Sequence, residues 1–256
     1  MPCLTAMIMT LNEEKRIGAC LERLSWADEM LVVDSGSKDR TVEIASGFGA
    51  RVVFHQFTDF SSQINWGFSQ AESDWIFLVD ADELATPELC ESIRKTLNND
   101  PRFDVYQVVR DAWFLEHPMR ASSWSNDRIP RLFKKGSVTY TGLVHQGVNK
   151  KADEMGVLDG KLIHHTYESI EHYFEKIQKY TTFGAKDAFD RGKRTSIPVI
   201  FFSAFWRFFH NYFIRGEILD GRMGLLSSGL AATYSFIKYA KLWGFADAEK
   251  RQGRKK

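Results

Sequence analysis

Apolar positions along the first hundred residues alternate between two rhythms. Largely apolar segments at Leu4 to Thr10, Met30 to Val33, Arg51 to His55 and Trp75 to Val79 predict buried strands. Between them the spacing becomes helical. Ile17, Cys20, Leu21 and Leu24 share one face, Thr41, Val42, Ile44 and Ala45 begin a second helix, and Phe60 to Gln70 forms a third. Asn12 is placed to cap the first of these helices, and Thr86-Pro87-Glu88 opens another. Strand and helix in alternation predict an α/β fold with a mainly parallel sheet and helices on both faces.

From Asp104 to Tyr167 the rhythm changes. Val105 to Val109, Arg131 to Phe133, Val138 to Val148 and Lys161 to His165 predict strands joined by long loops, where acceptor and catalytic groups are commonly carried. After Glu168 the pattern is helical. Ile170, Tyr173, Phe174, Ile177 and Thr181 give an amphipathic helix, Pro198 opens a segment crowded with aromatics, and Asp220 to Trp243 gives a helix pair or one long helix. The expected organisation is a catalytic region over 1–167, split into halves at 1–103 and 104–167, and a helical region over 168–256.

Composition narrows the classes. At 256 residues and 44% hydrophobic content the chain can bury one substantial core with an appended element. A net charge of +1 gives no global basic field, so nucleic acid is not an expected partner. Cys3, Cys20 and Cys90 lack metal-ligand spacing and suit buried thiols in a reducing cytosol. Met1 to Thr10 has no basic leader and reads as a first strand. No apolar stretch approaches the roughly 20 residues that span a bilayer.

The candidate chemistry lies where strands end in polar clusters: Thr10/Asn12/Glu13, Asp34/Ser35/Asp39 and Asp80/Asp82. Each has a plain alternative. Asn12 is a helix cap, Ser37 or Asp39 caps the second helix, and Asp80-Ala81-Asp82-Glu83 is a polar turn. Parallel strands, however, bring their carboxyl ends to one edge, where open α/β sheets bind ligands. Acids crowded there raise one another's pKa unless a cation intervenes. Two carboxylates at i and i+2 suit Mg²⁺ or Mn²⁺ holding a diphosphate, so Asp80 and Asp82 are the expected metal ligands.

Met9-Thr10-Leu11-Asn12-Glu13-Glu14, Val32-Val33-Asp34-Ser35-Gly36-Ser37-Lys38-Asp39 and Leu78-Val79-Asp80-Ala81-Asp82-Glu83, in that order, resemble the inverting family 2 glycosyltransferases of GT-A fold. With Gln63-Ile64-Asn65, Trp124-Ser125-Asn126-Asp127, Arg131-Leu132-Phe133, Val144-His145, His165-Thr166-Tyr167 and Leu219-Asp220-Gly221 the chain is similar to the lipopolysaccharide-core β-1,4-glucosyltransferase branch. The resemblance implies a Rossmann-like nucleotide-binding sheet, an acceptor subregion and a C-terminal helical extension. It implies Thr10, Asn12, Glu13 and Asp34 around uracil and ribose, with Asp39 shaping that loop. Gln63, Asn65 and Arg131 would lie on the nucleotide-sugar side, Asp80 at ribose and metal, and Asp82 on the metal. Ile64 stands where the family is usually basic, and Gln146 where it carries glutamate.

With that glutamate replaced, Asp127 is the candidate general base, with Arg128 and Arg131 placed either to keep it ionised or to touch phosphate; the alternative is a surface ion pair. His145 is a candidate third metal ligand, or a structural histidine. The implied reaction moves a hexose, expected to be glucose, from a UDP-sugar to a heptose of the lipopolysaccharide inner core, whose acceptor is anchored on lipid A. The rivals are transfer to polyprenyl phosphate or another surface polysaccharide, and an inactive sugar-nucleotide-binding protein. The aromatic segment packs a core or rests on a membrane. Arg191, Lys193, Arg194, Arg207, Arg215, Arg222, Lys238 and Lys241 outnumber the acids near it, so peripheral association with the cytoplasmic face of the inner membrane is expected.

Overall fold

The structure is a computed structural model that describes residues 2–120, 125–141, 147–167 and 169–253. Its first elements follow the alternation read from the sequence: β1 (Leu4–Thr10), α1 (Ile17–Leu24), β2 (Glu29–Asp34), α2 (Thr41–Gly47), β3 (Arg51–Phe54), α3 (Phe60–Gln70) and β4 (Trp75–Asp80). A three-residue strand β5 (Glu83–Ala85) follows at once, then α4 (Pro87–Asn98), whose first turn Thr86 caps by accepting from Leu89 N at 3.3 Å. Next come β6 (Val105–Phe114), β7 (His117–Pro118), β8 (Ser125–Lys134), β9 (Tyr140–Thr141), β10 (Gly147–Val148) and β11 (Gly156–Tyr167). The chain ends in α5 (Ile170–Asp190), α6 (Ile197–Phe209) and one 33-residue helix, α7 (Gly221–Gly253).

Among the described residues the main sheet runs β3-β2-β1-β4-β8-β6-β11-β5, with β7 beside β6. The fold is α/β, as the alternation predicts. Its first four strands are parallel and β8 turns antiparallel against β4. β1 and β4 are buried almost throughout because both faces are covered, which is why they read as continuous apolar runs. Ile17, Cys20, Leu21 and Leu24 of α1 bury against one face of the sheet, in the same core as Ala6, Ile8, Phe77 and Val79. Met7, Leu31 and Leu78 point to the other face, packed with Ile64 and Phe133.

Two compact units emerge. One comprises 1–111 and 126–164; the other comprises 112–125 and 165–256. The second has its own small core, in which Phe114, Met119, Tyr173, Ile177 and Leu230 are buried together.

Three expectations change. Asn12 does not cap α1, which starts five residues later, behind Arg16. Asn12 instead takes a left-handed conformation (φ 56°), which asparagine tolerates, and turns its amide toward the next loop. The 138–148 strand is a short antiparallel pair, β9 with β10, around residues that lie outside the described ones. The acids after β4 are more than a turn, since Glu83 already belongs to β5, which pairs with β11.

The opposite end of the sheet is closed by Glu29. Its Oε1 accepts from Arg51 Nε at 2.9 Å, and its Oε2 accepts from Thr5 Oγ1 at 2.5 Å and from Glu72 N at 3.2 Å. Burial raises its pKa, but the Thr5 and Arg51 bonds outweigh that and hold it below the ordinary carboxylate value of 4.5. A depressed folded-state pKa contributes stability that is present above the unfolded value and lost as pH falls through the folded one. Glu29→Gln is therefore expected to cost about 1–3 kcal/mol at neutral pH. Urea midpoints measured from pH 7 downward should show the gap to wild type closing below pH 4.5.

Candidate active site

The parallel register sets the site. Thr10 lies level with Asp34 across β1 and β2, and Met9 lies level with Asp80 across β1 and β4. Backbone bonds continue the sheet one step further, Ser35 N to Thr10 O and Ala81 N to Met9 O, both 3.1 Å. All three polar clusters thus reach one carboxyl edge, where they form two groups.

The first group is a loop staple. Asp34 accepts from Gly36 N and Ser37 N at 2.9 Å and from Ser37 Oγ at 2.5 Å, so its carboxylate closes its own turn. Asn12 N donates to Ser37 Oγ and Asn12 Oδ1 accepts from Lys38 N, both at 2.8 Å. Glu13 N donates to Thr41 Oγ1 at 2.8 Å, and Glu14 N donates to Asp39 Oδ2 at 3.1 Å. These bonds tie the loop after β1 to the loop after β2, with Asp39 as a shaping residue. Thr10 Oγ1 is buried at this edge without a hydrogen-bond partner among the described residues, a polar atom available to a ligand.

The second group holds the acids. Arg131 reaches from β8 under the turn, its Nη2 donating to Asp80 Oδ2 at 2.8 Å and to Glu83 Oε1 and Oε2 at 2.8 and 2.9 Å. Asp80 N also donates to Glu83 Oε2 at 3.1 Å. Burial opposes the charge on Arg131, but Glu83 and Asp80 overcome it and raise its pKa, so it is fixed as a cation. Asp82 lies 3.4 Å from His164 Nε2 and 3.8 Å from Arg16 Nη1, which is itself 3.6 Å from Glu13. His164 arrives because β11 pairs with β5 in the register that sets His164 opposite Glu83. The convergence of these acids has an internal reporter. The Cys20 thiol is pushed up first by burial and then by Glu83, Asp82, Asp80 and Glu13 together.

Among the described residues four carboxylates (Glu13, Asp80, Asp82, Glu83) gather here with Arg16, Arg131 and His164. No group of three or more His, Cys, Asp or Glu side chains among the described residues is arranged as a complete metal cage. A divalent cation of the Mg²⁺ type does not require one, since it commonly takes one or two carboxylates and completes its shell with phosphate oxygens and water. The Arg131 bond uses Asp80 Oδ2 and leaves Oδ1, so Asp80 and Asp82 fit as the protein's share.

Other expected residues are placed differently. Gln63 is buried, with Oε1 2.6 Å from His55 Nδ1 and Nε2 donating to Ser35 Oγ at 3.1 Å. Asn65 clasps the backbone of Tyr140 in both directions at 2.9 Å. Both amides hold the strand-end loops together. Asp127 is half exposed, and its partner is Arg110 at 3.2 Å, not Arg128 or Arg131, because Arg131 is already committed to Asp80 and Glu83. The β4–β8 register (Phe77 with Leu132) runs Asp127 past the carboxyl end of β4, toward the edge that carries Asp80. His145, Trp124 and Gln146 lie outside the described residues.

Sequence reasoning missed Arg16, Glu83, Arg110 and His164. Arg16, three residues after Glu13, and Glu83, three residues after Asp80, carried local signals. Arg110 and His164 depend on strand pairings with no local pattern.

Comparison with known proteins gives several matches. The model of the family Glycosyl transferase family 2 matches residues 5–156. The chain is 26% identical over 247 residues to the lipopolysaccharide core biosynthesis glycosyltransferase LpsC of Rhizobium meliloti (strain 1021), covering 94% of this chain and 92% of that protein. It is 30% identical over 251 residues to an uncharacterized glycosyltransferase of Rickettsia bellii (strain RML369-C), covering 93% and 85%. Among solved structures, glucosyl-3-phosphoglycerate synthase of Mycobacterium tuberculosis with Mn²⁺, UDP and glucosyl-3-phosphoglycerate is 20% identical with a TM-score of 0.37. That match spans 44% of each chain, less than half the length of either.

Proposed function

The chain belongs to glycosyl transferase family 2, and from that premise we propose that it moves glucose from UDP-glucose, with inversion, onto a heptose of the lipopolysaccharide inner core. The observation that carries the reading is the convergence of Asp80, Asp82, Glu83 and Glu13 beside the polar ends of β1 and β2. A nucleoside fits against the stapled loops at Thr10, Asn12 and Asp34, with its diphosphate toward Asp80 and Asp82. Asp80 and Asp82 would hold a divalent cation, which would supply charge neutralisation for the departing diphosphate. The choice of acceptor is supported by the similarity to LpsC over nearly the whole chain.

Asp127 then acts as general base. It removes the proton of the acceptor hydroxyl, whose oxygen attacks the anomeric carbon while the nucleoside diphosphate leaves from the opposite face. The sugar passes through an oxocarbenium-like state, and one displacement converts an α-linked donor into a β-product. Arg110 keeps the carboxylate oriented. Arg131 does not touch the donor in this scheme; it fixes Asp80. A lipid-A-anchored acceptor places the enzyme at the cytoplasmic surface of the inner membrane. No helix among the described residues is long and apolar enough to cross it, which is in keeping with a peripheral association.

A donor screen tests the reading. Purified protein, a panel of nucleotide sugars and a truncated core acceptor should release UDP from UDP-glucose alone, and chelation should stop the reaction. Release from no donor under any metal would leave only a binding protein. Label appearing in an undecaprenyl lipid instead of the core would reassign the acceptor.

A further inference from the structure

The helical unit keeps uncovered a face that water alone gives no reason to leave apolar. Along α6 and the wide turn after it, Val199, Phe202, Trp206, Phe209 and Phe213 recur at spacings of three and four, so they form one stripe. Their exposures are 44, 64, 48, 39 and 51%. The opposite side of α6 is the packed one. Ile200 and Asn211 are buried there, and Ser203 O accepts from Ser235 Oγ of α7 at 3.3 Å. The stripe continues into Ile214, Ile218 and Leu219, the last 82% exposed. A contiguous apolar surface of this kind marks an interaction site.

Charge decides the occupant. α6 contains no acid, and Arg207, Arg215 and Arg222 stand exposed along and beyond it. The nearby acids are turned inward: Glu217 is buried and accepts from Ser228 Oγ at 2.6 Å, and Asp220 Oδ1 accepts from Arg120 N at 2.8 Å. Not every base expected here contributes. Lys241 Nζ is spent on Gln178, Thr181 and Thr182, and Arg191 and Arg194 are paired with Asp187 and Glu249. What remains is an aromatic face with a cationic rim. A second copy docking face to face would bring equal cationic rims together, whereas an anionic leaflet complements both parts. At 13 residues α6 is roughly 20 Å long, too short to cross a hydrocarbon core of about 30 Å.

We infer that α6 and the turn behind it lie in the plane of an anionic leaflet, with the aromatic stripe among the acyl chains and Arg207, Arg215 and Arg222 at the phosphates. This deepens the proposed function by naming the element that holds the enzyme at the surface bearing its acceptor. Long arginine stems suit that depth, because they bury carbon while the charge stays wet.

Sedimentation of the full chain with phosphatidylglycerol/phosphatidylethanolamine vesicles, and with pure phosphatidylcholine vesicles, tests it without any nucleotide sugar. Wild type is expected to partition onto the anionic vesicles and to be weakened, not released, by 1 M salt, which screens the rim but not the stripe. Phe202→Glu with Phe213→Glu should lower the partition coefficient at least tenfold with circular dichroism and Tm unchanged, since these side chains are 64 and 51% exposed. Arg207→Gln, Arg215→Gln and Arg222→Gln together should lower it severalfold at low salt only. Wild type remaining in the supernatant at low salt, or unaltered binding by the glutamate variant, would overturn the inference. A wild-type dimer in light scattering that the same variant splits would assign the face to a second copy and also overturn it. Donor turnover in free solution is a separate readout, so loss of either result leaves the other standing.

Discussion

Asp82→Ala is expected to reduce kcat about a hundredfold or more, the scale of losing one preorganised electrostatic stabiliser of a developing charge. In the proposed scheme Asp82 is a ligand of the donor's cation. Its neighbours include His164 at 3.4 Å and Arg16 at 3.8 Å. Far-UV circular dichroism should show the variant folded while UDP release collapses. Asp82→Asn, which preserves shape and removes charge, should fall nearly as far. If the effect acts through a bound divalent cation, the dependence of rate on Mg²⁺ or Mn²⁺ concentration should weaken in both variants. Turnover near wild type in Asp82→Ala, unaffected by chelator, would remove the catalytic role of this loop.

How much of this was legible in the sequence depended on the range of each interaction. β1 and α3 are bounded where the pattern placed them, because covered parallel strands and an amphipathic helix write their burial directly into residue order. The carboxyl edge was legible for the same reason, since parallel strands share a direction. What failed was information carried by partners distant in the chain. Arg131 was expected on the donor, yet it is bound beneath the acids because β8 pairs antiparallel with β4. His164 became a neighbour of Asp82 only through the pairing of β11 with a three-residue β5 too short to show a period. Asn12 looked like a cap because its residue type suits a cap. The same short amide also suits a left-handed turn, and the facing loop decided between the two.

Arg131→Met is expected to give the largest loss of stability, about 3–5 kcal/mol, the usual cost of stripping one partner from a buried ion pair. Glu83 has no solvent exposure and takes two bonds from that guanidinium, so nothing in water replaces it. Such a loss is a large part of the roughly 5–15 kcal/mol that holds a domain together, and the guanidinium midpoint should fall accordingly. The double variant Arg131→Met with Glu83→Gln should recover much of it, because a neutral amide beside an apolar side chain carries no unpaired charge. pH separates this account from simple loss of packing. Burial pushes the Glu83 carboxyl above its ordinary value of 4.5, and Arg131 is the main influence pulling it back. Without Arg131 the folded-state pKa rises further. A raised folded-state pKa means stability is retained below the unfolded value and lost as pH rises above it toward the folded one. The single variant should therefore be most stable near pH 4.5 or below and weaken toward neutrality, whereas the double variant should show no such slope. A single variant as stable as wild type at pH 7, or one insensitive to pH across this range, would mean that Glu83 is not held by charge. The refolded double variant should still turn over slowly, because Asp80 has lost the 2.8 Å bond that aims it.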